Sequence, residues 1–241
     1  MADSTPTPAP KKPHHPAGPL KQRSLDDIKR AEDVAEGALN AVWAAALADE
    51  GIPATAAPDL ILKCSAARTV GGQLVTATQI KESATQTELS AFKPLMVALR
   101  GIQDRAKRKF AGDAANQKAY FIGLETFGDN RTTLEQDAQT IIDRATADNL
   151  PGMTPAKLAD ATTALGLWKT ADAAQTAAVT AHAALLNQFD TQVATINGAR
   201  REIQIAGNTA KPYTDPANAA ARRLLKLPPT TPYNPGLGAS V

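Results

Sequence analysis

The sequence predicts an all-α fold, and its composition and its periodicity are the reasons. Of the 241 residues, 49 are alanine, which is nearly half of the 43% hydrophobic fraction, whereas aromatic residues make up only 4%. Alanine has the highest helix propensity, and strands favour β-branched and aromatic side chains. Apolar residues recur three or four positions apart along the body of the chain, and no alternating run typical of a strand occurs. We therefore expect a helical bundle with two long helices and no sheet.

The first helix is expected over residues 24–48. Ser24 is a good N-cap, and Asp26 and Asp27 place negative charge in the first turn. The apolar residues that follow at helical spacing are Leu25, Ile28, Ala31, Ala35, Leu39 and Val42. The helix should end before the Gly51-Ile-Pro53 sequence.

A short helix is expected after Pro58, ending at Gly71-Gly72, and a long helix over residues 73–110. Pro94 lies inside this long helix and should kink or divide it. A further short helix, over about 114–121, is expected to close this half of the chain.

The second half repeats the same order of elements. A helix opens at Thr133 and ends near Leu150-Pro151, and a short helix begins at Pro155 and runs to Gly166. A long helix over 167–206 follows, with apolar residues on a narrow seam that also includes Arg200.

The recurring order indicates a tandem duplication of a helical unit of about 100 residues. The closing elements match best, with Asp113-Ala-Ala-Asn116 in one half and Asp215-Pro-Ala-Asn218 in the other. We predict two helical units, 24–124 and 125–227, related by a pseudo-two-fold axis. The alternative is that alanine-rich amphipathic helices align with each other for trivial reasons.

The charge is unevenly distributed along the chain. Residues 1–23 and residues 208–241 each carry a net charge of +3, which leaves −4 for residues 24–207 out of the total of +2. Residues 1–23 and 228–241 are also rich in proline, which prevents helix formation and favours an extended conformation. They are either solubilising tails or an N-terminal arm and a C-terminal tail that dock on a partner.

Few residues could carry chemistry. Cys64 is the only cysteine, so an intrachain disulfide or a cysteine-based metal site is excluded. His14 and His15 lie in the N-terminal arm, and His182 has Val179 rather than glutamate three residues before it. Neither a P-loop motif nor GxGxxG occurs. We expect no catalytic residue, no metal and no cofactor. Trp43, Trp168 and Cys64 are expected in the core.

No apolar run of about 18 residues occurs, and the N-terminus lacks the apolar segment of a signal peptide. We therefore expect no membrane insertion, and a location in the cytoplasm or within an assembled particle.

These observations favour a non-enzymatic structural protein that self-assembles into a filament, shell or ring, with other copies of itself as partners. Alanine- and threonine-rich helices are common in bacterial and phage structural proteins. Basic side chains of the two ends should contact acidic groups on neighbouring copies; they are Lys11, Lys12, Lys21, Arg23, Arg222, Arg223 and Lys226.

Nucleic-acid binding is the alternative function. It would use the basic tails and a cluster near the end of the first long helix: Arg105, Lys107, Arg108 and Lys109. Arg200-Arg201 is the possible counterpart of that cluster in the second half. The acidic body argues against this alternative.

Overall fold

The fold is all-α, as predicted. The computed structural model describes residues 20–124, 127, 128 and 130–235, and this part of the chain contains no strand. Its helices are α1 (Gln22–Ala38), α2 (Ala41–Asp49), α3 (Ala56–Lys109), α4 (Ala114–Ala119), α5 (Arg131–Ala147), α6 (Pro155–Ala210), a 3-10 turn (Pro216–Asn218) and α7 (Ala219–Leu224). The two long helices, α3 and α6, pack together. Most of the N-terminal arm, including Lys11 and Lys12, lies outside the described residues.

The long helices are longer than predicted. Helix α3 continues through Gly71-Gly72 and Pro94, and α6 continues through Gly166. The predictions of separate short helices that end at these glycines are therefore wrong. A glycine inside a helix costs only about 1 kcal/mol relative to alanine, which the buried faces of the two long helices outweigh.

The predicted helix over 24–48 is two helices, which is a second correction. Helix α1 begins at Gln22 after Lys21, so Ser24 lies inside the helix instead of capping it. The helix is interrupted at Leu39, and the side chain of Asn40 accepts a hydrogen bond of 3.1 Å from the backbone N–H of Val42. This cap gives α2 an independent start, because an asparagine side chain competes with the helical backbone for hydrogen bonds.

The chain forms two compact units. Unit 1 comprises residues 20–75 and 186–235 of the described chain, and unit 2 comprises residues 76–185. Unit 1 therefore contains α1, α2, the beginning of α3, the end of α6 and α7. The indole of Trp43 is fully buried and donates a hydrogen bond of 3.0 Å to the carbonyl oxygen of Ala221. Cys64 is also fully buried, so both predictions of core residues are confirmed.

Unit 2 contains the end of α3, α4, α5 and the beginning of α6. Its core includes Leu99, Tyr120, Ile141 and Trp168, so the predicted burial of Trp168 is confirmed. The Trp168 Nε1–H donates a hydrogen bond of 2.9 Å to Oε1 of Glu88, a carboxylate that is itself fully buried.

The two halves of the chain share a series of elements, although α2 in the first half has no counterpart in the second. Helices α1 and α5 have 17 residues each, α3 and α6 have 54 and 56, and a short helix capped by an aspartate follows each long helix. Because α3 and α6 each contribute to both units, the compact units do not coincide with 24–124 and 125–227. Those ranges describe the proposed repeat, which stays a prediction.

The buried positions of the two long helices support the repeat. Four buried positions near the end of α3 each lie 101 residues before a buried position near the end of α6. The pairs are Leu95 and Ile196, Leu99 and Arg200, Ile102 and Ile203, and Ala106 and Gly207. The same spacing relates Gln103 to Gln204. Each glutamine donates an Nε2–H hydrogen bond of 2.9 Å to the backbone carbonyl at the end of the following short helix, at Tyr120 and Leu225.

Candidate functional site

Unit 1 contains a cavity of about 760 Å³ with strongly basic walls. Three parts of the chain line it: residues 26–33 of α1, residues 200–204 of α6, and residues 223–235, which include the end of α7 and the extended segment 227–235. Each of these parts contributes side chains of a different character.

The extended segment forms one wall because it is tied to the helices. Lys226 has a φ of 55°, a left-handed conformation that turns the chain after α7, and Leu227 is buried. Four prolines in 228–235 keep the rest of the segment extended. Arg222 Nε donates a hydrogen bond of 2.8 Å to the carbonyl oxygen of Pro228, and the Tyr233 hydroxyl donates one of 2.8 Å to Oε1 of Gln204. The wall is thus fixed at both ends.

The cavity has an excess of positive charge. It is lined by two acidic residues, Asp26 and Asp33, and by six basic residues: Lys29, Arg30, Arg200, Arg201, Arg223 and Lys226. Asp33 forms ion pairs with Lys29 and, at 3.3 Å, with Lys226. Partial burial acts to raise the pKa of Asp33, but the hydrogen bonds from these two lysines hold it below its ordinary value. The basic residues of the lining thus outnumber the acidic ones by four.

Arg200 differs from the other basic residues of the cavity because it is buried. Its exposed fraction is only 7%, and its Nε atom has no hydrogen-bond partner among the described residues. Burial lowers the pKa of its guanidinium, and the neighbouring Arg30 and Arg201 act in the same direction, against Tyr233 and Asp27. A cation is therefore held in a poorly solvated position without a full set of partners.

The structure separates the predicted assembly residues. Arg223 and Lys226 line the cavity, whereas Lys21 and Arg23 lie exposed at the start of α1. Arg222 is fully buried, and its three hydrogen bonds join Pro228, Lys211 and Asn208 of the same chain. Its guanidinium cannot reach a neighbouring copy, so Arg222 does not fit the predicted role.

The other predicted cluster lies in unit 2, in the last turns of α3. Arg105 Nη1 donates to the carbonyl oxygen of Gly101, and Lys109 Nζ donates to that of Asp148, so these two cations act within the unit. Lys107 and Arg108 are exposed. The Lys109 side chain is exposed as well, and Arg105 is half-buried.

Sequence analysis missed the cavity, including the contributions of Lys29, Arg30 and Tyr233. It placed Arg200 on the apolar seam of the second long helix, and a charged residue in a row of buried apolar side chains is the signal that could have indicated a site. Tyr233 had a weaker signal as an aromatic residue within the proline-rich tail.

Two further observations concern the described part of the chain. No helix within it is both long and apolar enough to cross a membrane. Within residues 20–124, 127, 128 and 130–235, no three histidine, cysteine, aspartate or glutamate side chains form a group that could hold a metal ion. The chain matches no protein-family model, no curated protein and no solved structure.

Proposed function

We propose that this chain is a non-enzymatic structural protein that self-assembles into a higher-order homo-oligomer. In this proposal, the N-terminal arm, residues 1–23, docks on the helical body of a neighbouring copy. The arm is basic and rich in proline, and extended segments of this kind can order on a partner surface without a core of their own.

The observation that carries this proposal is the way segment 227–235 packs on unit 1. This segment has the same proline-rich character as the N-terminal arm, and helix residues hold it through hydrogen bonds from Arg222 and to Gln204. Leu227 adds an apolar anchor, with only 3% of its surface exposed. The helical bodies of this chain are thus able to bind an extended proline-rich segment.

The proposed docking surface for the arm is acidic. Asp49 and Glu50 at the end of α2 and Asp59 in the first turn of α3 are exposed. None of the ion pairs found among the described residues involves them. Lys11, Lys12, Lys21 and Arg23 of a neighbouring arm would supply the opposite charge.

The test is the oligomeric state of full-length chain, freed of nucleic acid, at low and high salt. The deletion should cover residues 1–19 only, because the Leu20 side chain lies near the surface formed by Gly71 and Phe189 and belongs to the body. A matched control replaces 1–19 by a glycine-serine sequence of equal length. We expect full-length chain to assemble at low salt, and both altered chains to stay monomeric with unchanged helicity.

A second variant tests the acidic surface. Asp49→Lys with Glu50→Lys should abolish assembly as completely as the deletion, and Asp59 is left in place because it stabilises the start of α3. A full-length chain that is monomeric at low salt and high concentration overturns the proposal.

Nucleic-acid binding remains the alternative, favoured by the exposed Lys107 and Arg108. Under this alternative the chain assembles only when DNA or RNA is added. Replacement of both residues by glutamine should then weaken binding and reduce its salt dependence by about two phosphate contacts. Light scattering without nucleic acid therefore separates the two functions.

A further inference from the structure

We propose that the cavity of unit 1 binds an organic phosphate. Its phosphate groups would lie against Arg200 and Arg201, and its carbon skeleton against the wall formed by segment 227–235. This site is independent of the self-assembly proposed above.

The first argument is charge. Six cations face two aspartates, and Asp33 already has two lysine partners, Lys29 and Lys226. The formal excess of basic residues in the lining, with Asp27 as a further acidic residue acting on Arg200, favours an anionic ligand. A multiply charged phosphate matches this excess better than a single carboxylate does. Guanidinium groups also bind phosphate oxygens through two parallel hydrogen bonds.

The second argument is the burial of Arg200. A guanidinium that is 7% exposed and has an unpartnered Nε–H is costly, since a buried donor without a partner costs about 1–3 kcal/mol, and more when it is charged. Arg222 in the same unit is fully buried but donates three hydrogen bonds to groups of its own chain. Arg200 also lines the cavity, so a phosphate bound there would compensate the charge of its guanidinium.

The third argument comes from the repeat. Leu99 occupies the position in unit 2 that corresponds, at the spacing of 101 residues, to Arg200 in unit 1, and Leu99 is fully buried. The packing at this position is thus compatible with leucine. The fold therefore does not require an arginine at this position, which is the pattern expected of a residue kept for binding.

The fourth argument concerns the rest of the ligand. The proline rings of 228–235, Leu227 and the ring of Tyr233 line one side of the cavity. Small-molecule sites commonly have volumes of about 300–1,000 Å³, apolar walls and a few polar groups that fix orientation. A cavity of about 760 Å³ falls within this range. An organic group attached to the phosphate would cover the apolar wall.

The experiment measures binding to full-length chain by calorimetry and by thermal shift. The probes are ATP, fructose 1,6-bisphosphate, inorganic pyrophosphate and adenosine. We expect saturable binding of at least one organic phosphate, binding of pyrophosphate weaker by about fivefold or more, and no binding of adenosine. Arg200→Leu should weaken organic phosphate binding by about tenfold or more, the factor of one lost charged hydrogen bond.

The same variant must keep its fold. Without ligand, Arg200→Leu should melt at the same temperature as the parent chain or higher. Arg68→Leu is the matched control, because Arg68 pairs with Glu32 at 2.6 Å and does not line the cavity. It should bind the probes as the parent does.

Three results would overturn the inference. One is that neither organic phosphate binds at millimolar concentration. Another is that Arg200→Leu binds the probes as tightly as the parent chain. The third is that pyrophosphate binds as tightly as the organic phosphates, which would remove the role of the apolar wall.

Discussion

Arg222→Met should destabilise unit 1 by about 3 kcal/mol, and the structure supplies the reason. Arg222 donates from Nε to the carbonyl oxygen of Pro228 at 2.8 Å, from Nη1 to that of Lys211 at 2.6 Å, and from Nη2 to Oδ1 of Asn208 at 2.9 Å. Each hydrogen bond from a charged donor contributes about 1.5–3 kcal/mol. Methionine keeps the aliphatic volume but leaves all three acceptors without this donor.

Part of the stability lost with these three hydrogen bonds is regained in the methionine variant. Burial lowers the pKa of Arg222, which indicates that desolvation of its guanidinium is unfavourable, and methionine removes this cost. The three hydrogen bonds together contribute about 4.5–9 kcal/mol. Removal of the buried charge returns several kcal/mol of desolvation free energy, so the net loss of stability is about 3 kcal/mol. This corresponds to a change of roughly a hundredfold in the unfolding equilibrium constant.

Two measurements check the prediction. Urea unfolding should show a midpoint lowered by about 1 M or more, given the slopes typical of small domains. Limited trypsin digestion should cut after Lys226 in the variant faster than in the parent chain, because segment 227–235 loses its tie to Arg222. An unfolding free energy within about 0.5 kcal/mol of the parent, with unchanged digestion, would refute this account of the wall.

Two other predictions concern glycine and the buried thiol. Gly37→Ala should lower the free energy of unfolding by about 2 kcal/mol or more, because the new Cβ would lie 2.0 Å from the carbonyl oxygen of Leu224. Gly166→Ala should raise the free energy of unfolding by about 0.5–1 kcal/mol, since nothing lies within 4 Å of its Cβ position. Equal changes in the two variants would contradict this packing. Burial, followed by the charge of Glu32, raises the pKa of the Cys64 thiol to about 11. A thiol reagent should therefore label Cys64 only after unfolding, and rapid labelling of the folded chain would be inconsistent with its burial.

The sequence predicted features that depend on local signals. The helical class follows from composition and spacing. The short helix after Asp113 follows from a side chain that accepts a hydrogen bond of 3.0 Å from the backbone N–H of Asn116. Trp43 and Trp168 were assigned to the core because large apolar side chains are seldom exposed. In each case a single segment carried the necessary information.

The failures occurred where packing between distant segments decides the outcome. Gly72 and Gly166 favour a helix end when read locally, but the helices continue because their buried faces are uninterrupted. Arg222 and Arg223 read alike as members of a basic tail. The turn at Lys226 brings Pro228 back over α7, and this packing buries Arg222 and leaves Arg223 exposed.

The cavity was beyond the reach of local patterns for the same reason. Its residues come from three stretches, 26–33, 200–204 and 223–235, the first two of which are separated by more than 160 residues. No spacing rule connects a lysine in the first helix to an arginine near the end of the last long helix. The repeat was the only sequence feature that linked such distant parts of the chain.

At the spacing of 101 residues, two pairs of buried positions combine a charged side chain in one unit with an apolar side chain in the other. The first pair is Glu88 in unit 2 and Phe189 in unit 1, both buried. Glu88 has partners within its own unit: Oε1 accepts a hydrogen bond from Trp168, and Oε2 forms an ion pair of 2.9 Å with Nη1 of Arg131, although Oε2 accepts no hydrogen bond among the described residues. This charge has a structural explanation.

The second pair, Arg200 and Leu99, has no such explanation. The Arg200 Nε has no hydrogen-bond partner among the described residues; Asp33 across the cavity is paired with two lysines, and Asp27 acts on Arg200 through its charge. Glu88 has an ion-pair partner in Arg131, whereas none of the ion pairs found among the described residues includes Arg200. A bound anion that compensates the Arg200 charge accounts for this residue, and the reasoning is measurable because Arg200→Leu should leave stability unchanged or raise it, whereas Arg222→Met should lower it.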